Sequence, residues 1–157
     1  MSRSTPATLA LDRAGVAYAL AAYDYDPNAD RIGLQAAEAL GAAPAEVLKT
    51  LIVKADGKPA CVVLASDREV SMKKLAAALG AKSCEMAPPA DAERITGYRV
   101  GGVSPFGQKK RLPTVIDVAA AALSQAYVNG GQRGLQVRLA PADLVRLLNA
   151  TVAEISA

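Results

Sequence analysis

Histidine is absent from the 157 residues. That removes the imidazole base of Ser-His-Asp and Cys-His catalysis in their usual forms, and the commonest catalytic metal ligand. Any chemistry must use Lys, Asp, Glu, Tyr, Ser, backbone amides or the substrate itself. Cysteine is scarce: Cys61 and Cys84 are the two, with no Cys-x-x-Cys spacing. Two thiols give no disulfide framework, and both sit in apolar segments, so they read as buried free thiols. Aromatic residues make up 4 % and Phe106 is the single phenylalanine, so the core must be built from Leu, Val, Ile and Ala. No segment approaches the ~18 apolar residues of a membrane span. The N-terminal Met1-Ser2-Arg3-Ser4-Thr5-Pro6 lacks a long apolar run of the kind a secretory signal carries. These absences lead us to expect a cytoplasmic protein.

What is present describes a folded chain. Hydrophobic residues reach 52 %, charged residues 21 %, and the mean hydropathy is +0.18, a balance unlike that of a disordered segment. The length suits one domain spanning residues 1–157. The net charge of +3 permits nucleic-acid binding without requiring it.

Thr5-Pro6 reads as an N-cap followed by proline at the first helical position, opening a helix that Gly15 stops. Val16 to Tyr23 alternates as a strand. Leu34 to Leu40 is a short helix closed by Gly41, and Pro44 opens a further turn. Val47 to Val53 is an apolar strand interrupted by Lys49. Asp56-Gly57 is a hairpin signal joining it to Ala60–Ala65. Ser71 caps a helix running to Leu79. Lys82 to Met86 reads as a strand, and Pro88-Pro89 opens a helix that ends at Gly97. Thr114–Val118 is a buried strand, followed by an alanine-rich helical segment. Ala126–Val128 and Leu135–Leu139 are strands joined by the glycine-rich turn 129–134. Pro141 to Asn149 is an amphipathic helix, and Val152–Ile155 adds an edge strand. Helices and strands are interspersed without a strict βαβ rhythm. The reading is an α+β (mixed α/β) single compact domain, with a mixed, mostly antiparallel central sheet flanked by short helices.

The stretch from Gly97 to Arg111 draws attention, holding four of the twelve glycines and the only Phe. Glycines let a ligand approach bare backbone N–H groups, and Gly101-Gly102 and Gly130-Gly131 could each offer such donors to a carbonyl. Neither turn fits a P-loop or dinucleotide fingerprint. Lys49 either faces solvent on the polar side of its strand or points into a cleft. Lys109, Lys110 and Arg111, with Lys73, Lys74, Arg133 and Arg138, could form a phosphate patch or be a solvated face. Tyr23, Tyr98 and Tyr127 could stack a nucleobase or be half-buried strand tyrosines. Asp24, Asp26 and Asp30 share a loop. The glycine and terminal glutamate of a calcium loop are missing, so no metal is expected.

Taken together, Tyr23–Pro27, Lys49–Val53, Thr96–Pro105, Gly107–Arg111 and Tyr127–Leu135 resemble the YbaK family, in the right order over nearly the whole chain. These proteins are free-standing relatives of the editing domain inserted in bacterial prolyl-tRNA synthetases. The resemblance implies hydrolysis of misacylated tRNA, most of all Cys-tRNA(Pro), with no cofactor and no metal. It implies that Lys49 matches an essential lysine that orients the tRNA terminus. It also implies that Gly101 and Pro105 match a Gly-x-x-x-Pro loop whose amide contacts the substrate carbonyl, and that Tyr23 matches a pocket tyrosine. Gly102, Ser104, Asn129 and Gln136, near that pocket, are expected to be substrate-binding, and Lys109, Lys110 and Arg111 either hold the tRNA backbone or simply meet water. Family members are thought to let the cysteine thiol of the substrate attack its own ester, which fits a chain without histidine. Prolyl-tRNA synthetase is implied as a transient partner. Where this chain has Asn129 and Gln136, well-studied members have serine and aspartate, which bears on the amino acid accepted. A deacylase for alanyl or seryl tRNA, a non-catalytic tRNA- or synthetase-binding module, and a small-ligand domain without RNA are the other readings.

Overall fold

The computed structural model describes residues 4–28 and 32–157. Asp30 of the aspartate-bearing loop, and Met1, Ser2 and Arg3 of the N-terminal reading, lie outside the described residues.

The first helix, α1 (Pro6–Ala14), forms as its caps dictate. The Thr5 hydroxyl accepts from Thr8 N, the Thr8 hydroxyl accepts from Thr5 N at 2.8 Å, and Gly15 ends the helix in the left-handed conformation. Strand β1 (Ala19–Ala22) is shorter than the alternation of 16–23 suggests. Helix α2 (Ile32–Leu40) and a 3-10 turn at Pro44–Glu46 lead to β2 (Leu48–Ala55). Asp56 and Gly57 both have positive φ, 49° and 82°, so they make the two-residue turn that matches strand twist. β3 (Lys58–Ala65) returns beside β2 in unbroken antiparallel register, Leu48 facing Ala65 and Ala55 facing Lys58. Then follow α3 (Met72–Leu79), β4 (Cys84–Met86), α4 (Pro89–Thr96), β5 (Thr114–Asp117), α5 (Val118–Ala121), β6 (Ala126–Gln132), β7 (Leu135–Leu139), α6 (Pro141–Leu148) and β8 (Thr151–Ala153).

The strands divide into two sheets where the sequence suggested one. One has five strands in the order β4-β2-β3-β5-β8, mixed because β5 runs parallel to both its neighbours. The other has three antiparallel strands in the order β1-β7-β6. A parallel bridge between Val47 and Tyr127 links them. β3 is buried on both faces, as its run of apolar residues requires. Cys61, Val63 and Ala65 face the main core, shared with Leu11, Phe106, Val128, Val137, Leu139 and Leu144. Ala60, Val62 and Leu64 face a second core beneath Leu75 of α3 and Ile155. Among the described residues no helix is long and apolar enough to cross a membrane.

The C-terminal residues are held by Asp117. Its buried carboxylate accepts from Ile155 N at 3.0 Å and from the Ser156 hydroxyl at 2.9 Å. Both cysteines are free, as expected. Cys61 is fully buried, and burial pushes its thiol up to about 12. Such a thiol is not a nucleophile at neutral pH. Cys84 is only partly buried, less than the sequence suggested.

Candidate active site

A cleft of about 340 Å³ opens where the two sheets approach each other. Residues 47–52 form its floor. β4 pairs with Val53, Lys54 and Ala55 only, so the first half of β2 has an open edge along the cleft. One wall is the start of α4, Pro89 and Ala92, with Ala87 just before it. α4 is tied to β2 by Lys54, whose ammonium donates to Asp91 at 2.7 Å and holds that carboxyl below its usual range. The opposite wall is Val100, Gly101 and Val103 with Asn129 and Gln136 of the three-stranded sheet. Most of these side chains are apolar, and Lys49 alone among the described lining residues is ionisable.

Lys49 lines the cleft with only 22 % of its side chain exposed, so the solvent-facing alternative does not hold. Its Nζ lies 3.9 Å from Oε1 of Glu69. Thr50 and Gln136 contribute polar atoms of another kind. Thr50 Oγ1 and Gln136 Oε1 are buried without a hydrogen-bond partner, as is Tyr23 Oη. Tyr23 stands beside the Gln136 carboxamide; burial raises its pKa and that neighbour offsets part of the rise. Buried polar groups left unpaired are costly, and Thr50 and Gln136 both line the cleft, so these atoms are open to a partner there.

The Gly97–Arg111 stretch is a long loop with its own anchors. Phe106 is fully buried. The Tyr98 hydroxyl donates to the Phe106 carbonyl at 2.5 Å, closing the loop, and burial holds its pKa well above the ordinary tyrosine value. Tyr98 is therefore committed to the loop and not to stacking a base. Tyr127 is half-buried with Arg138 over its ring, 5.9 Å from the centroid. Gly101 has φ +91°, and a Cβ there would stand 2.6 Å from Tyr25 Oη. Its N–H has no acceptor among the described residues. The N–H of Gly102 donates to Arg99 O at 2.8 Å, so that amide is spent inside the turn.

Asn129 does something its residue type does not announce. Its Oδ1 accepts from Gly131 N at 2.7 Å and Gln132 N at 3.3 Å. Its Nδ2 donates to Gly101 O at 3.3 Å and Gln132 O at 3.4 Å. The carboxamide thus holds the bulge of β6 against the carbonyl of the Gly101–Gly102 peptide. Replacing Asn129 with alanine strands these partners in a buried site. We expect a loss of about 1–3 kcal/mol, read as a lower melting temperature, with serine recovering part of it.

The cleft brings together Lys49, Gly101, Asn129 and Gln136. The other candidates lie outside its lining. Ser104 is fully buried and accepts from Phe106 N at 3.2 Å, which is a turn interaction. Pro105 and Arg111 border a separate cavity of about 200 Å³ against Leu147 and Leu148. Lys109 and Lys110 are exposed, and Lys109 N donates to Thr96 O. Asp26 spends its carboxylate on Asn28 N at 2.9 Å, a local turn.

The model of the aminoacyl-tRNA editing domain matches residues 26–147. The chain belongs to this family. A protein of Enterococcus faecalis, provisionally named Cys-tRNA(Pro)/Cys-tRNA(Cys) deacylase EbsC, is 37 % identical over 136 residues, covering 85 % of this chain and 83 % of that protein. A proline–tRNA ligase of Geobacter metallireducens is 31 % identical over 99 residues, covering 63 % of this chain and 17 % of the ligase. The chain therefore spans a small part of the ligases it matches. Among solved structures, the hypothetical protein APE2540 superposes with a TM-score of 0.86 at 25 % identity, covering 98 % of this chain and 100 % of that one. A structure described provisionally as a trans-editing enzyme for prolyl-tRNA synthetase superposes with a TM-score of 0.82 at 23 % identity, which is a likeness of fold. The editing domain family is the one the YbaK resemblance indicated.

Proposed function

We propose that this editing domain is a trans-editing deacylase that clears cysteine from tRNA(Pro) in the cytoplasm. The observation that carries the reading is the composition of the cleft. It offers an ammonium, at Lys49, and a backbone N–H without an acceptor, at Gly101, among mostly apolar walls, with no histidine, thiol or carboxylate among the described lining residues. Such a site can hold an ester and stabilise negative charge on its carbonyl oxygen. Among the described residues the Thr50 hydroxyl is hydrogen-bonded to no base that would activate it as a nucleophile.

A cysteinyl ester brings its own nucleophile. In the proposed step the substrate thiol attacks the ester carbonyl carbon and a C–S bond forms. The Gly101 N–H donates to the oxygen as it gains charge. The C–O bond to the terminal ribose then breaks, the thiol proton ends on the ribose hydroxyl, and the amino acid leaves as a cyclic thioester. Closing a ring on a bound substrate needs positioning more than acid–base groups, which is what a preformed cleft provides. Lys49 holds the RNA end at the open edge of β2. Gln136 Oε1 is an unpaired acceptor suited to the α-ammonium of the amino acid.

The unpaired Thr50 hydroxyl and Gln136 oxygen also favour a second reading, a seryl deacylase in which they meet the serine hydroxyl. An acyl-release assay with cysteinyl-, seryl- and alanyl-tRNA(Pro) separates the two. Selective loss of the cysteinyl ester supports the first reading. Selective loss of the seryl ester supports the second. Stability of all three esters at the rate seen in buffer overturns both. Prolyl-tRNA synthetase is the partner we propose for delivery, since the domain itself carries a net charge of only +3 and needs help to hold tRNA.

A further inference from the structure

The hairpin between β6 and β7 carries Arg133 to the rim of the cleft. Its Nε donates to the Val100 carbonyl at 2.9 Å. Its guanidinium lies over the Tyr25 ring, 5.2 Å from the centroid. A Cβ on Gly101 would stand 3.3 Å from Nε, so the cation borders a residue that lines the cleft. Among the described residues no carboxylate pairs with Arg133, and its Nη1 and Nη2 donate to no protein acceptor. One edge and one face of this guanidinium are fixed, and its outer fork is open. That arrangement suits two-pronged binding of a phosphate, with the side-chain entropy already lost. The exposed Lys109, Lys110 and Arg111 have no such mooring and do not line the cleft.

We propose that Arg133 binds the phosphate on the 5′ side of the terminal nucleoside whose acyl ester occupies the cleft. The proposal rests on the reading of the cleft as an ester site. An ester carbonyl at Gly101 N–H sets the same nucleoside's 5′-phosphate one ribose away, where the open fork of Arg133 stands. Val100 and Met86, 42 % and 48 % exposed, flank the cleft and give the base an apolar surface.

The test is a titration of the protein with adenosine, 5′-AMP and the dinucleotide CpA, followed by amide chemical shifts. These also report whether each variant is folded. We expect CpA to bind the wild-type protein about tenfold or more tighter than adenosine, from a charge-assisted hydrogen-bonded pair. That advantage should shrink as salt rises. Arg133→Gln should bring CpA down to the level of adenosine, Arg133→Lys should keep only part of the advantage, and Arg138→Gln should keep all of it. If Arg133→Gln does not fold, Arg133→Lys decides. Equal binding of CpA and adenosine to the wild type, or an advantage that survives loss of the Arg133 fork, overturns the proposal. A gain seen with 5′-AMP alone also overturns it, assigning the fork to a free nucleotide. None of these readouts needs turnover, so absence of acyl release would count against the deacylase reading separately.

Discussion

Lys49→Ala is expected to slow release of cysteine from tRNA(Pro) by about a hundredfold or more, the scale on which loss of one preorganised donor is felt. The fold should survive. Lys49 approaches Glu69 at 3.9 Å, and Glu69 is 74 % exposed, so the pair contributes under about 1 kcal/mol. The cleft has no second cation among its described lining residues to take over. The measurement is single-turnover acyl release beside a thermal melt. A melting temperature near that of the wild type with activity lost assigns the lysine to function. Activity retained removes Lys49 from the mechanism.

Gly101→Ala should have a comparable effect on activity and a larger one on stability. A φ of +91° is one that side chains rarely adopt, and the new Cβ would meet Tyr25 Oη at 2.6 Å. Relief of that contact pushes Tyr25 away and disturbs Arg133 above it. It also turns the one amide that the account aims at the ester. We expect a loss of about 1–3 kcal/mol in stability and of about a hundredfold in acyl release. Gly80→Ala separates the two causes. Gly80 has φ +68° at the end of α3, but a Cβ there meets nothing within 4 Å. It should cost about 1 kcal/mol of stability and leave acyl release intact. If Gly101→Ala behaves like Gly80→Ala, the loop amide does not act on the substrate.

Legibility of the sequence depended on how local each signal was. The Thr5 cap, the Asp56-Gly57 turn and the Ser71–Gly80 helix are settled within a few residues, and each forms where the residues predict. The division into two sheets was not legible. It depends on which strands meet across the chain, such as β1 beside β7. Lys49 stood out because a lone cation in an apolar strand violates the pattern around it. The glycine-rich loop stood out too, but its parts have different tasks. Gly101 lines the cleft, Gly102 presses on the backbone of Gln132 and Arg133, and Ser104 and Phe106 anchor the loop in the core. Asn129 lines the cleft, and its hydrogen bond to Gly101, 28 positions away, becomes visible only in the fold. The Tyr25–Arg133 pair likewise becomes visible only when the hairpin folds over the loop. Met86 lines the cleft and carried no sequence signal, because a methionine at a strand position is ordinary.

The central claim is that the protein supplies a mould and the substrate supplies the nucleophile. It is tested most directly by comparing release from cysteinyl-tRNA(Pro) and S-methylcysteinyl-tRNA(Pro). The two esters differ by one methyl on sulfur, and the methylated one cannot attack its own carbonyl. The account predicts rapid release from the first and release from the second no faster than in buffer. It also predicts that the methylated ester competes for the cleft. Release of both at similar rates would contradict it, and would require a water nucleophile activated by a group in the cleft.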